Sequence, residues 1–220
     1  MQTPADAVQA IRTAPTGLDG FLGSCASSAG LVIFAHGSGS GRHSPRNNYV
    51  AAGLRQQGLA TLLIDLLLPE EEDDRAKVFD IPLLASRLLE ATDWARQHPS
   101  LSHLPIGYFG ASTGGGAALL AASRASHDMQ IAAVVSRGGR PDLAGADALA
   151  GVRAPTLLLV GGLDTVVIDL NRQALAQLTC KKEMVIVPGA THLFEEPGTL
   201  DQVLKLAAGW FVQYCAAAAP

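Results

Sequence analysis

The chain has 220 residues, of which 48% are hydrophobic and 16% charged, with a formal net charge of −4. This balance excludes a disordered chain, and the length predicts one domain, residues 1–220, with its own core. The basic residues form no long run, so no nucleic-acid partner is expected.

No apolar run reaches the ~18 residues of a membrane span, so no membrane partner is expected. The first ten residues carry Asp6 and lack the basic-then-apolar order of a secretory signal. Cys25, Cys180 and Cys215 are scattered and fit neither zinc spacing nor a disulfide framework. They read as small buried apolar residues in a reducing cytoplasm.

In chain order, residues 8–24 predict a leading antiparallel hairpin, with Gly17 and Asp19-Gly20 as turn candidates. Residues 31–35 (LVIFA) form an apolar run of strand length, suited to burial on both faces. Residues 46–58 predict a helix, with Pro45 near its first turn and Gly58 at its stop. Residues 60–64 predict the next strand. The acidic run 70–74 reads as a solvated loop. Residues 79–98 predict a long helix whose apolar side carries Leu83, Leu84, Leu88, Ala91 and Ala95.

The alternation continues with strands at 106–109, 131–135, 156–160 and 184–187. Helices are predicted at 113–126, 166–178 and 200–214, with a short one at 141–149. Residues 216–220 are expected to fray. Repeated strand–helix units predict an α/β fold: a mostly parallel central sheet with helices on both faces.

Gly110-Ala111-Ser112-Thr113-Gly114 matches G-x-S-x-G between a predicted strand and a predicted helix. A nucleophile elbow needs that setting, because a sharp turn lifts the serine above the sheet. Asp164 follows the strand at 156–160, and His192 follows the strand at 184–187. All three therefore sit beyond carboxyl ends of parallel strands, where such sheets place their sites. Ser112 reads as nucleophile, His192 as general base and Asp164 as the group that orients the imidazole. His36-Gly37-Ser38-Gly39 follows the strand at 31–35 and reads as an oxyanion loop, with Ser38 and Thr113 supplying backbone N–H donors. His36 reads as a residue that shapes this loop by hydrogen bonding. His98, His103 and His127 are expected to face solvent.

On these residues the chain resembles the α/β-hydrolases, and within them the dienelactone-hydrolase-related group of small bacterial serine hydrolases. The resemblance runs from the 36–39 loop through the 110–114 elbow and Leu163-Asp164 to His192. It implies an ester-hydrolysing scaffold. No cofactor is expected, and because no His, Asp or Glu cluster has the spacing of a catalytic zinc site, no metal is expected. Ser112 stands where dienelactone hydrolases proper carry a cysteine.

Arg42, Arg46 and Arg137 also follow strand ends. They are candidates to bind a carboxylate or phosphate on the substrate, with pairing to nearby acids such as Asp65 as the alternative. The connection from Ser136 to Thr156 is too short for a large cap domain. The expected partner is therefore a small soluble molecule, with an anionic group as one option; the sequence leaves the oligomeric state open. Transfer of the acyl group to an acceptor other than water, or ligand binding without catalysis, are the alternative readings of the same scaffold.

Overall fold

The computed structural model describes residues 7–24, 27–126 and 129–218. The chain opens with a hairpin of β1 (Ala7–Arg12) and β2 (Asp19–Ser24), paired antiparallel. Gly17, at φ +85°, lies in the connecting turn. Asp19-Gly20 belongs to the strand and not to the turn. Gly20 is small there for another reason: a Cβ would fall 3.0 Å from the Leu63 carbonyl and the Ile64 side chain of the neighbouring strand.

Two runs, β3 (Leu31–Ala35) and β4 (Ala60–Ile64), apolar but for Thr61, are buried throughout. Between them lies α1 (Pro45–Gln56), capped by the Ser44 hydroxyl with Pro45 in its first turn. A 3₁₀ turn (Pro69–Glu71) and a single helical turn, α2 (Arg75–Val78), precede α3 (Ile81–Gln97). The Asp80 carboxylate accepts from the Leu83 N–H at 2.9 Å, which sets the start of α3 two residues beyond the predicted one. Its buried side carries Leu84, Leu88, Ala91 and Ala95, with Leu83 at the margin.

The second half repeats strand and helix. β5 (Ile106–Ala111) leads to α4 (Thr113–Arg124), and β6 (Ile131–Arg137) leads to a 3₁₀ turn (Pro141–Ala144) and α5 (Ala146–Gly151). Gly145, at φ +84°, splits the single helix expected at 141–149. β7 (Thr156–Gly161), α6 (Thr165–Gln177), β8 (Lys182–Val187) and α7 (Thr199–Ala218) complete the chain. α7 continues through residues 216–218, which the sequence predicts to fray.

The eight strands lie in the order β1-β2-β4-β3-β5-β6-β7-β8. β1, β2 and β4 pair antiparallel, and every other pairing is parallel. α1 and α7 cover one face, packing on Phe34, Phe109, Val135 and Leu159. α3, α4, α5 and α6 cover the other. The β6-to-β7 connection holds only the 3₁₀ turn and α5, so there is no large cap. No helix among the described residues is long and apolar enough to cross a membrane.

The acidic run is exposed at Glu70, Glu72, Asp73 and Asp74, as expected of a solvated loop, and Glu71 is the exception. Glu71 is buried, where it accepts from the Leu68 N–H at 3.0 Å and from Lys77 at 3.1 Å and lies 3.5 Å from Arg87. The Leu68 bond, with these two cations, holds its carboxyl below the usual range. Arg87 also faces Glu90, whose carboxylate accepts from the N–H and hydroxyl of Thr16. This network ties the first hairpin's turn and the 65–80 segment to α3.

Candidate active site

β5 and β6 run side by side to their ends, with Ala111 opposite Arg137. Ser112 then turns the chain into α4 at φ 52° and ψ −123°, a conformation that a residue with a Cβ adopts only when its surroundings enforce it. They do so through the backbone. The Ser112 N–H donates to the Arg137 carbonyl at 3.2 Å, and the Ser112 carbonyl accepts from Gly115 at 3.0 Å and Arg140 at 2.9 Å. The elbow also requires its glycines. A Cβ on Gly110 would fall 2.5 Å from the Gly114 carbonyl, and one on Gly114 would fall 2.1 Å from the Ala35 carbonyl.

Asp164 is the residue just before α6. His192 lies on the loop between β8 and α7. The two loops pass so closely that a Cβ on Gly161 would fall 2.5 Å from the carbonyls of Ala190 and Thr191. Glu196 tightens the second loop by accepting from the Thr191 N–H and hydroxyl, at 3.0 and 2.6 Å. Phe194, buried and at φ 55°, anchors it from below.

These loops bring the three predicted residues together. His192 Nδ1 lies 2.7 Å from Asp164 Oδ2, and His192 Nε2 lies 3.3 Å from Ser112 Oγ. A carboxylate can only accept, so Nδ1 carries the proton and the Nε2 lone pair faces the serine hydroxyl. That arrangement can remove the hydroxyl proton during attack and return one to a leaving group.

His36 is buried beneath the loop that runs from Gly37 to Gly41. Its Nδ1–H donates to the Gly37 carbonyl, and its Nε2 accepts from the Leu66 N–H, both at 2.9 Å. The ring thus fastens the 36–41 loop to the 65–80 segment and is not placed to act as a base. Burial lowers its pKa below the ordinary value of 6.5, outweighing its bond to Gly37 and the charges of Asp65 and Glu72. The unfolded chain therefore takes up this proton first on acidification. The stability contribution is complete above about pH 6.5 and declines as the pH falls towards the lower folded value. The expected result is a thermal midpoint that drops between about pH 7.5 and about pH 5, with a shallower drop in His36→Gln, whose amide keeps a donor and an acceptor without titrating. Equal slopes in the two proteins would remove His36 from the explanation.

Ser38 and Thr113 meet at the predicted oxyanion loop. The Thr113 N–H is in the first turn of α4, where no intrahelical acceptor exists for it. The Ser38 N–H donates to the Thr113 hydroxyl at 3.0 Å, so this second donor is engaged in the free protein. A cavity of about 610 Å³ opens beside the loop, walled by Gly37, Ser38, Arg46, Leu67, Glu72 and Val78. The 65–80 segment thus forms a wall of the cleft, and part of the acidic run faces into it.

The three candidate arginines diverge. The Arg42 guanidinium pairs with Asp65, lies 3.5 Å from Asp19 and stacks on Phe21 at 5.5 Å. Its backbone N–H donates to the same Asp65 at 2.5 Å. Arg42 is therefore a clamp between the 36–41 loop, β2 and the end of β4. Arg46 lines the cavity and pairs with Glu195 at 2.7 Å. Arg137 is the last residue of β6, not part of a loop, and is 7% exposed. The sequence reading did not single out Glu195 or Phe194, although both lie within three residues of His192.

Among the remaining groups, Cys215 is buried and its thiol is pushed up to about 11 by that burial. Cys180 is half-buried, and Cys25 and His127 lie outside the described residues. His103 is exposed, whereas His98 is half-buried against the Trp94 ring at 5.1 Å. Among the described residues, no group of three or more His, Cys, Asp or Glu could hold a metal ion.

A family described as an alpha/beta hydrolase domain matches residues 28–213. A dienelactone hydrolase from Anabaena variabilis ATCC 29413 has a solved structure that is 55% identical, with a TM-score of 0.90 over 97% of this chain and 99% of that one. The esterase Est1E from Butyrivibrio proteoclasticus, at 17% identity, shares the fold with a TM-score of 0.79 over 94% of this chain and 99% of that one. A curated Mycobacterium tuberculosis protein (strain ATCC 25618 / H37Rv) is 61% identical over 191 residues, 87% of this chain. Its name assigns it provisionally as a phosphoribosyl transferase. The chain spans only 42% of that relative's length.

Proposed function

We propose that this chain, which belongs to the α/β-hydrolase family by its match over residues 28–213, is a serine hydrolase that cleaves carboxylic esters of small, soluble molecules. The observation that carries this reading is the continuous chain of contacts from Ser112 Oγ through His192 to Asp164, at 3.3 and 2.7 Å. In the proposed reaction Ser112 Oγ attacks the ester carbonyl while His192 Nε2 takes its proton. The tetrahedral oxygen is held by the N–H groups of Thr113 and Ser38, the latter released from the Thr113 hydroxyl. His192 then protonates the departing alcohol, leaving an acyl group on Ser112. Water, deprotonated by His192, attacks that acyl group; the bond from Ser112 Oγ to the acyl carbon breaks, His192 returns the proton to Oγ, and the carboxylic acid departs.

The name of the mycobacterial relative is not carried over to this chain. The matched stretch is less than half of that protein. A serine activated by an imidazole is acyl-transfer chemistry, and nothing in phosphoribosyl transfer calls for it.

The short β6-to-β7 connection, and the charged side chains of Arg46, Glu72 and Asp73 on the cleft wall, support small substrates in water over lipid at an interface. The test is turnover against acyl length with dissolved and emulsified esters. Dissolved short-chain esters should be hydrolysed fastest, with no activation on emulsification. A preference for emulsified long-chain esters would refute the soluble-substrate part of the reading.

A further inference from the structure

The Ser38 N–H is committed before any substrate arrives. It donates to the Thr113 hydroxyl at 3.0 Å, so a side-chain oxygen already sits where this donor points. The place is beside the reacting atoms. A Cβ on the preceding residue, Gly37, would fall 3.0 Å from Ser112 Cβ and 3.7 Å from Ser112 Oγ. Thr113 is buried at the first position of α4, where its own N–H has no intrahelical acceptor. One residue thus offers an oxyanion a donor through its backbone and competes with that oxyanion through its side chain.

The backbone on either side of Ser38 is fastened. At the near end the His36 ring holds the Gly37 carbonyl and the Leu66 N–H. At the far end the Asp65 carboxylate accepts from the Arg42 N–H, and a Cβ on Gly41 would fall 2.7 Å from Asp65 Oδ1. The Thr113 N–H is fixed by the helix it opens. The freest part of the contact is the Thr113 side chain, because a helical threonine divides between two χ1 wells. Release of the Ser38 N–H is therefore a rotation of one hydroxyl and needs no movement of the loop.

We infer that the Thr113 hydroxyl is a built-in competitor for the oxyanion site, withholding the Ser38 N–H from the intact ester and yielding it to the tetrahedral oxygen. The inference rests on the serine-hydrolase reading and adds to it a means of discrimination. An ester carbonyl and a hydroxyl are both neutral acceptors, so the intact ester gains little by displacing the hydroxyl. An oxyanion forms hydrogen bonds about twice as strong and does displace it. The Ser38 donor is thereby kept for the transition state, where binding energy accelerates the reaction. In this role Thr113 determines how tightly the uncharged ester is held.

The test is Thr113→Val, which keeps the branched shape and removes the acceptor. Acylation by 4-nitrophenyl acetate is followed as release of 4-nitrophenol against ester concentration. With the Ser38 N–H free for the carbonyl, the half-saturating concentration should fall about three- to tenfold, the worth of one neutral hydrogen bond. The second-order acylation rate constant should rise by a similar factor. Thr113→Ser, which restores the hydroxyl, should reverse both changes. Thr113→Ala removes the acceptor by a second route and should shift both values in the same direction, so it carries the test if Thr113→Val does not fold. Loss of a merely structural contact would lower the thermal midpoint without tightening ester binding. A half-saturating concentration within about twofold of wild type in the variants lacking the hydroxyl would overturn the inference, since a released hydrogen bond is worth more. So would a slower acylation that Thr113→Ser restores, because the hydroxyl would then be donating to the oxyanion. Labelling of Ser112 by a fluorophosphonate is followed in parallel. Labelled protein with unmoved ester binding removes the competitor alone, whereas unlabelled wild type removes the hydrolase reading beneath it.

Discussion

Ser112→Ala is expected to abolish labelling by a fluorophosphonate and to lower kcat for a simple ester by about 10⁴- to 10⁶-fold. Only Oγ is lost. The backbone bonds that hold the elbow, from Ser112 N–H to Arg137 and from Gly115 and Arg140 to the Ser112 carbonyl, do not involve the side chain. Alanine meets the same positive-φ strain as serine, so the thermal midpoint should stay within a few degrees of wild type, as expected for a change well under ~1 kcal/mol. The residual rate would come from the backbone donors and substrate positioning that remain. A variant that retained more than about a hundredth of the wild-type kcat would exclude Ser112 as nucleophile, because loss of a triad serine removes far more.

Asp164→Asn is expected to lower kcat by about 10⁴-fold with little change in KM. The 2.7 Å contact to His192 Nδ1 fixes where the imidazole proton resides. An amide turns an N–H towards Nδ1 and favours the opposite tautomer, with the proton on Nε2 facing Ser112 Oγ. The ring can then no longer accept the serine proton, and no carboxylate stabilises the imidazolium that forms during attack. Shape is preserved, so binding is preserved. Labelling by the fluorophosphonate should slow by a similar factor, since it uses the same activated serine. A loss of less than about tenfold would mean that Asp164 does not orient the base, since an orienting carboxylate contributes orders of magnitude more.

Much of the scaffold was legible because burial on two faces leaves an unambiguous trace. The strands at 31–35 and 60–64 coincide with prediction residue for residue, the first wholly apolar and the second apolar but for Thr61. The meeting of Ser112, Asp164 and His192 was legible because each follows the carboxyl end of an apolar strand and glycines mark the turns. What the sequence obscured was set by partners distant in the chain. β8 begins at Lys182 and not at residue 184, because an edge strand exposes its first residues and so tolerates Lys182 and Glu183. β5 extends through Gly110 and Ala111, which read locally as turn residues but pair with Ser136 and Arg137. Glu71 resembled its solvated neighbours, and only the fold brings Arg87 and Lys77 to it. The arginines gave no local sign of which would find a carboxylate: Arg42 has Asp65, while Arg137 has none among the described residues.

The division of the helices between the two faces of the sheet has a mechanical consequence. Ser112 and Asp164 lead into α4 and α6, which lie in one layer, whereas the loop bearing His192 leads into α7, in the other. The serine–histidine distance is therefore a gauge of how the two layers sit against the sheet. Gly107 on β5 is pressed on Phe211 of α7 so closely that a Cβ would fall 2.7 Å from its ring. A larger side chain there would push α7, and the base with it, sideways without touching any reacting atom. Since a displacement of about 1 Å can cost a hundredfold in rate, turnover becomes a strain gauge for packing at the far side of the molecule.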